Sequence, residues 1–343
     1  MNTPHERLQA IKEQNAEAVR LRHKTPPGPP PPPMDWREPN KNPRMVKLRR
    51  FEPGRVPGSR EKSEIEQVSL GEGEILLYSK ELASSNAEDS ILRKGGFSWI
   101  SCNTSVESYL QGSKQPMCGL AASLMAAEAI RVPFAQNLDL EDFFEKAKER
   151  GYTKQGEMFE AQDLAKLIEE ILLCETEVLQ GPIDQYRRKI LEHLAAGYPF
   201  LIPHDADHDH RPTKKNGEKS HWGIVTGFLV GAQIDTNQRG IVKTPGTKVK
   251  NHFFCKKWGK INKETKDAIF DVDPSENPLF LFAKQGRAPG LKIWSWESLA
   301  ESNTQLFNFD TSRFPGDYIL PAGGPAEGLN EKSILIRPRS NQS

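Results

Sequence analysis

The sequence predicts an α+β fold in which a buried helix early in the folded domain packs on an antiparallel sheet. Two observations carry this expectation. The segment after Pro116, CGLAASLMAAEAI, is apolar on every helical face, as only a buried helix is. Beyond Gly197 the chain breaks into short segments rich in β-branched and aromatic residues, which read as strands. Helices followed by strands argue for two packed layers rather than a βαβ alternation.

The elements follow in chain order. Residues 2–24 hold helix formers with a few scattered apolar positions and read as a solvated helix at best. Pro26, Pro27 and Pro29 to Pro33 come next; a run with fixed φ and no amide donors settles into polyproline II. Such a ridge serves either as a ligand for an aromatic groove or as a stiff spacer. Residues 38–65 are basic and polar, so we expect residues 1–65 to be a disordered, proline-rich region. A folded domain is expected over 66–330, with a tail at 331–343. GEGEILLYSKEL and FSWISC lead into it as strand or short helix, and the apolar helix follows. Asp139 caps LEDFFEKAKER, which stops at Gly151. MFEAQDLAKLIEEILL, from Met158, and IDQYRRKILEHLAAG, closed by Gly197, have apolar residues at helical spacing. PFLIPH, HWGIVTGFLVGA, NHFFCKKW, PLFLFAKQG, LKIWSW, DYILPA and SILIRP are the expected strands.

Composition narrows the function. The 343 residues carry 47 basic and 46 acidic side chains, and a net charge of +1 gives no general pull toward nucleic acid or an anionic membrane. No apolar run approaches the ~20 residues that span a bilayer. The first residues lack the apolar stretch of a signal peptide, so a cytosolic protein with reduced thiols is expected. Cys102, Cys118, Cys174 and Cys255 show no CxxC pairing, which points to neither a disulfide framework nor a cysteine zinc site.

Cys118 opens the apolar helix, just after a proline and before Gly119. A helix start carries partial positive charge and unpaired amides, which favour a thiolate and face a developing oxyanion. Gly119 would let a substrate carbonyl approach the sulfur. A buried structural cysteine remains the alternative from these residues alone. His221 stands at the mouth of the strand HWGIVTGFLVG, about a hundred residues later, which is the papain-type order of nucleophile and base. A histidine that merely caps an amide at a strand edge is the competing reading.

GSKQPMCGLAASLMA and GYPFLIPHDADHDHRPTKKNGEKSHWGIVTGFLVG resemble the actin maturation proteases, cysteine peptidases related to the bacteriocin-processing C39 type. AKQGRAPGLKIWSWESLAESNTQLFNFDTSR is similar to the C-terminal stretch of that family, and the resemblance covers residues 95–325. It implies a papain-like fold and an aminopeptidase that removes the acetylated N-terminal Met or Cys of immature actin, with no cofactor. Cys118 is then the nucleophile and His221 the base. The proline run around Pro26–Pro33 would engage profilin, the carrier of actin monomers. A catalytically degenerate profilin-binding adaptor is the alternative function.

The other site residues are open on the sequence. A papain-like oxyanion glutamine lies a few residues before the cysteine; Gln111 is preferred over Gln115, which abuts Pro116. Gln285 and Asp273 are the candidates to orient the histidine. PHDADHDHRP holds His204, Asp205, Asp207, His208, Asp209 and His210, ligand types that suit a divalent ion. One loop rarely wraps all its side chains around one ion, so no metal is assigned. Arg211, Lys214, Lys215 and Lys219 crowd the loop before His221, as a solvated loop or as a surface for acidic substrate residues.

Overall fold

A computed structural model describes residues 97–339, except 105, 107–115, 133–137, 244–250, 256, 287, 311 and 313–315. The expectations for residues 1–96, including the proline run, and for Gln111 and Gln115 lie outside the described residues.

In chain order the elements are β1 (Ser98–Asn103), α1 (Cys118–Ala129), α2 (Leu140–Glu149) and α3 (Ala161–Leu167), which continues as a π turn over Ile168–Leu172. Next come β2 (Cys174–Gln180), a 3₁₀ turn at Ile183–Tyr186, α4 (Arg187–Ala195), β3 (Phe200–Ala206), β4 (Pro212–Thr213) and β5 (Ser220–Ala232). Then follow β6 (Ile241–Lys243), β7 (His252–Cys255), α5 (Lys263–Phe270), β8 (Leu279–Gln285) and β9 (Ala288–Ser295). The last are α6 (Trp296–Asn303), α7 (Pro325–Gly328) and β10 (Lys332–Pro338).

The longest strand, β5, organises the sheet. Along one edge its first half pairs with β3 (Phe200↔Val225 to Asp205↔Ser220) and its second half with β1 (Ser98↔Ala232 to Asn103↔Gly227). Along the other edge β8 pairs with both halves, from Ile224↔Lys284 to Val230↔Leu279. These pairings are antiparallel; β1 with β7 is parallel. Gly227 sits where β5 changes partner, and a Cβ there would come 2.1 Å from the Cys102 carbonyl oxygen.

Alternating side chains of the strands feed two cores, because successive residues of a strand point to opposite faces. Leu201, Trp222, Ile224, Ile334 and Ile336 pack with the apolar faces of α1, α2 and α3. Phe200, Ile202, Val225, Phe228 and Leu335 pack with α4, α5 and α6. The fold is α+β as expected, but the two-layer reading is corrected: helices cover both faces of the sheet, and strands lie between helices in the chain. Ten of the twelve residues of α1 are buried, which accounts for its apolar composition. Truncating one of them, such as Leu124, would cost about 2–5 kcal/mol by the usual cavity penalty.

Local signals hold where they were specific. The Asp139 carboxylate accepts from the Asp142 amide and caps α2, while Gly151 and Gly197 take positive φ after α2 and α4. Three expectations need correction. Met158 and Phe159 precede α3 rather than belonging to it. DYILPA forms no strand; it crosses the surface as irregular chain tied by the Ile319 amide to Glu157. Residues 332–338, placed in a tail apart from the strand reading of SILIRP, form β10 between β2 and β3.

Candidate active site

The helix α1 starts at Cys118 with Met117 as its N-cap residue, and no side chain caps this end. The first-turn amides of a helix have no intrahelical acceptor, so they point outward beside the Cys118 thiol. Cys118 is half-buried, while Cys102, Cys174 and Cys255 are buried. Burial pushes the Cys174 and Cys255 thiols up to about 12 and raises Cys102 well above the ordinary range. Those three are held as inert thiols at neutral pH.

His221 is the second residue of β5 and lies directly across from His204 of β3. It lines the same cleft as Cys118. The next amide, Trp222 N–H, points at Cys118 Sγ from 3.5 Å, a donor that favours the thiolate. The Trp222 indole is fixed by donating from Nε1 to the Met158 carbonyl at 2.8 Å. Gly119 makes this packing possible, since a Cβ there would lie 3.1 Å from both Met158 Cβ and Trp222 Cδ1. Its missing side chain admits Met158 and Trp222, rather than a substrate carbonyl as the sequence suggested.

Three aromatic rings build the far wall of the cleft. Phe159 lies 4.7 Å from Phe309 and 5.8 Å from Tyr318, centroid to centroid, and the latter two are 5.4 Å apart. Beneath them Glu157, only 2% exposed, accepts from Thr153 Oγ1 and from the amides of Lys154, Gln155 and Ile319, at 2.7–3.0 Å. One carboxylate thus holds the loop 153–157 and the segment carrying Tyr318 against the helix start. Gly156 completes that loop at φ +104°, where a Cβ would meet Met117 Cγ at 2.4 Å.

Residues 106–229 match the family described as actin maturation protease-like, C-terminal domain. An actin maturation protease from Mus musculus is 36% identical over 70% of this chain and 64% of its own length. One from Danio rerio is 35% identical over 71% of this chain and 76% of its own length. The chain belongs to the actin maturation protease family. The Homo sapiens member is 31% identical over 72% of this chain and 68% of its own length. The crystal structure of a C39-like peptidase from Bacillus anthracis aligns with 69% of this chain and 97% of its own, at 10% identity and a TM-score of 0.38. So loose a superposition adds nothing to the strand pairings described above.

In this member of the actin maturation protease family, the structure brings Cys118 and His221 to one cleft. Gln285 turns elsewhere. Its Nε2 lies 2.7 Å from His204 Nε2 and donates to the His210 carbonyl at 3.2 Å. Burial pushes His204 down to about 4, so it is neutral at pH 7, with Trp294 packed 4.6 Å from its ring. The His204 and His221 rings meet edge to face at 6.3 Å. Gln285 is thus one residue removed from His221, and its amide joins His204 to the His210 carbonyl. Asp273 is exposed and closes its own turn onto Ser275, so it lies outside the cleft lining.

The acidic–histidine loop is also dispersed. Asp205 is buried and accepts four hydrogen bonds, from the amides of Lys215, Gly217 and Lys219 and from Gln305 Nε2. Asp207 accepts the Asp209 and Arg211 amides, and His208 pairs with Asp209 at 3.5 Å. Among the described residues no group of metal-binding side chains gathers. Sequence reasoning gave no role to the Trp222 amide, Glu157, Phe309 or Tyr318. A backbone amide has no residue signature, and the rings come from segments 150 residues apart in the chain.

Proposed function

We propose that this chain is a cysteine aminopeptidase that removes the acetylated N-terminal Met or Cys from immature actin. The observation that carries the reading is the cleft shared by Cys118 at a helix start and His221 at a strand mouth, with the Trp222 amide on the sulfur. Membership of the actin maturation protease family supports the choice of substrate.

The Cys118 thiol gives its proton to His221, and the thiolate attacks the carbonyl carbon of the first residue. The carbonyl electrons move to an oxyanion that faces the amides at the start of α1, with Gln111 as the further donor we assign. His221 then protonates the leaving amine as the C–N bond breaks, leaving a thioester on Cys118. Water, deprotonated by His221, hydrolyses the thioester and frees the acetylated residue. The scheme uses a thiol and an imidazole and invokes no cofactor. We place the enzyme in the cytosol, where cysteine thiols stay reduced.

Mass spectrometry of immature actin tests the reading. Wild-type enzyme is expected to remove one acetylated residue, Cys118→Ala to remove none, and His221→Ala to lose most activity. Processing by Cys118→Ala would overturn the nucleophile; untouched actin with the wild type would favour the adaptor. We further propose that the run Pro26–Pro33 docks on profilin. Gly/Ser replacement of Pro29–Pro33 should then slow processing of profilin-bound actin and spare a short acetylated peptide. Equal loss on both substrates would refute it.

A further inference from the structure

His204 is wholly buried and lies behind the site rather than in it. It lines neither the cleft of Cys118 nor the neighbouring cavity of His208, Lys215 and Lys219. A buried imidazole needs hydrogen-bond partners, and those of His204 are specific. Gln285 Nε2 sits 2.7 Å from His204 Nε2 and donates to the His210 carbonyl at 3.2 Å. A carbonyl can only accept, so that bond fixes which end of the amide is nitrogen. His204 Nε2 is then the acceptor of the second amide hydrogen. The ring proton belongs on Nδ1, which faces the Ile202 carbonyl at 3.4 Å.

Packing holds the ring as well. Trp294 lies 4.6 Å from it, centroid to centroid. Beneath both rings β5 carries Gly223, where a Cβ would come 3.0 Å from His204 Cε1 and 2.8 Å from Trp294 Cη2. A side chain at that point would displace one ring or the other. His221 stands two residues earlier on the same face of β5, because successive residues alternate. It is paired with His204 in the strand register, and the two rings meet edge to face at 6.3 Å, within the range of an aromatic pair.

We propose that His204 is a positioning residue for the reaction: tethered by Gln285 and bedded on Gly223, its ring holds the His221 imidazole in the cleft of Cys118. The inference rests on the proposed cysteine peptidase chemistry and assigns what keeps its base in place. Gln285, a candidate on the sequence to orient His221 directly, acts through His204 instead.

An uncharged ring suits this part, since it supports His221 without repelling the imidazolium that forms there. The titratable groups around His204 are Asp205, Asp207, His210 and His221. Asp205 and Asp207 accept backbone amides, and burial keeps His204 itself neutral at pH 7. Precision matters at this place, because a catalytic group misplaced by about 1 Å costs on the order of a hundredfold in rate.

The test uses His204→Ala and Gln285→Met in the full chain, with the wild type and His221→Ala as references. One readout is the pH dependence of alkylation by iodoacetamide, quantified at the Cys118 peptide, which needs no substrate. The other is steady-state kinetics on an acetyl-Met peptide. An imidazolium beside the sulfur keeps alkylation active below the ordinary thiol range, so His221→Ala should move the midpoint to higher pH. His204→Ala is expected to move it the same way, and to lower kcat by about a hundredfold with KM changed by no more than about twofold. Gln285→Met, which removes the tether and leaves the ring, should shift both readouts in the same direction by less. A folded His204→Ala with the wild-type alkylation profile and kcat overturns the inference. Should His204→Ala fail to fold by circular dichroism, Gln285→Met decides, and a wild-type profile in that variant overturns it equally. A profile that His221→Ala leaves unmoved would instead refute the pairing of Cys118 with His221, and the peptidase reading with it.

Discussion

Asp205→Asn is expected to cost both stability and activity, because one buried carboxylate organises the loop that leads into His221. In the native chain Oδ2 accepts the Lys215 and Gly217 amides at 2.8 Å and Gln305 Nε2 at 2.7 Å, while Oδ1 accepts the Lys219 amide at 2.8 Å. An asparagine that keeps its oxygen at the Oδ2 position turns its NH₂ toward the Lys219 amide, donor against donor. Loss of the negative charge weakens each of the three retained bonds by about 1 kcal/mol, and stranding the Lys219 N–H costs about 1–3 kcal/mol more. Coupling within the network makes a simple sum too large, and about 3 kcal/mol is the expected loss. Urea unfolding would read it as a lower midpoint at unchanged slope. Because Lys219 lies two residues before His221, kcat/KM should also fall by at least tenfold, with Cys118 still reactive to a small thiol reagent. A loss under about 0.5 kcal/mol with full activity would refute the role given to the carboxylate.

Gly119→Ala should cost about 1–3 kcal/mol by overpacking Met158 and Trp222, and should lower kcat more than it raises KM because the Trp222 amide moves from the sulfur. Paired thermal melts and steady-state kinetics would check both halves, and a silent Gly119→Ala would mean that Trp222 is not held as described. Acid should destabilise the fold over a defined window. Burial is the main cause that pushes His193, His204 and His252 down to about 4. Unfolding returns them to about 6.5, so between those values the unfolded chain binds protons that the folded chain does not. Stability is thus complete above pH about 6.5 and falls as pH drops toward 4, by up to about 1.4 kcal/mol per pH unit for each histidine. Melting temperatures that stay flat from pH 7 to 4.5 would contradict this.

The sequence made most of the fold legible where its signals were local. Asp139 at a helix start, the apolar run of α1, Gly197 after α4 and the dense strand of β5 each specify their own conformation. The failures have a common physical cause. DYILPA has strand-forming residues, yet its Ile319 amide is taken by the Glu157 carboxylate rather than by a neighbouring strand. Met158 and Phe159 fit a helical period, but Glu160 caps the helix after them and frees both to face the cleft. Order and context singled out Cys118 and His221 in the sequence, each at the end of a regular element, and both line one cleft. The wall of Phe159, Phe309 and Tyr318 was not, because it depends on contacts across half the chain. The interposition of His204 between Gln285 and His221 was hidden for the same reason: it is a matter of strand register, not of residue type.

The burial of three of the four thiols also fixes how this protein meets an oxidant. A peroxide that reaches the cleft finds Cys118, and a sulfenic acid formed there has no second cysteine among the cleft-lining residues with which to condense. Cys102, Cys174 and Cys255 are shut into the core as protonated thiols, so none is positioned to resolve it. Recovery must come from a small thiol of the surroundings, in two steps: a mixed disulfide at Cys118, then its reduction. Without that thiol, oxidation proceeds to the sulfinic acid and the loss is permanent.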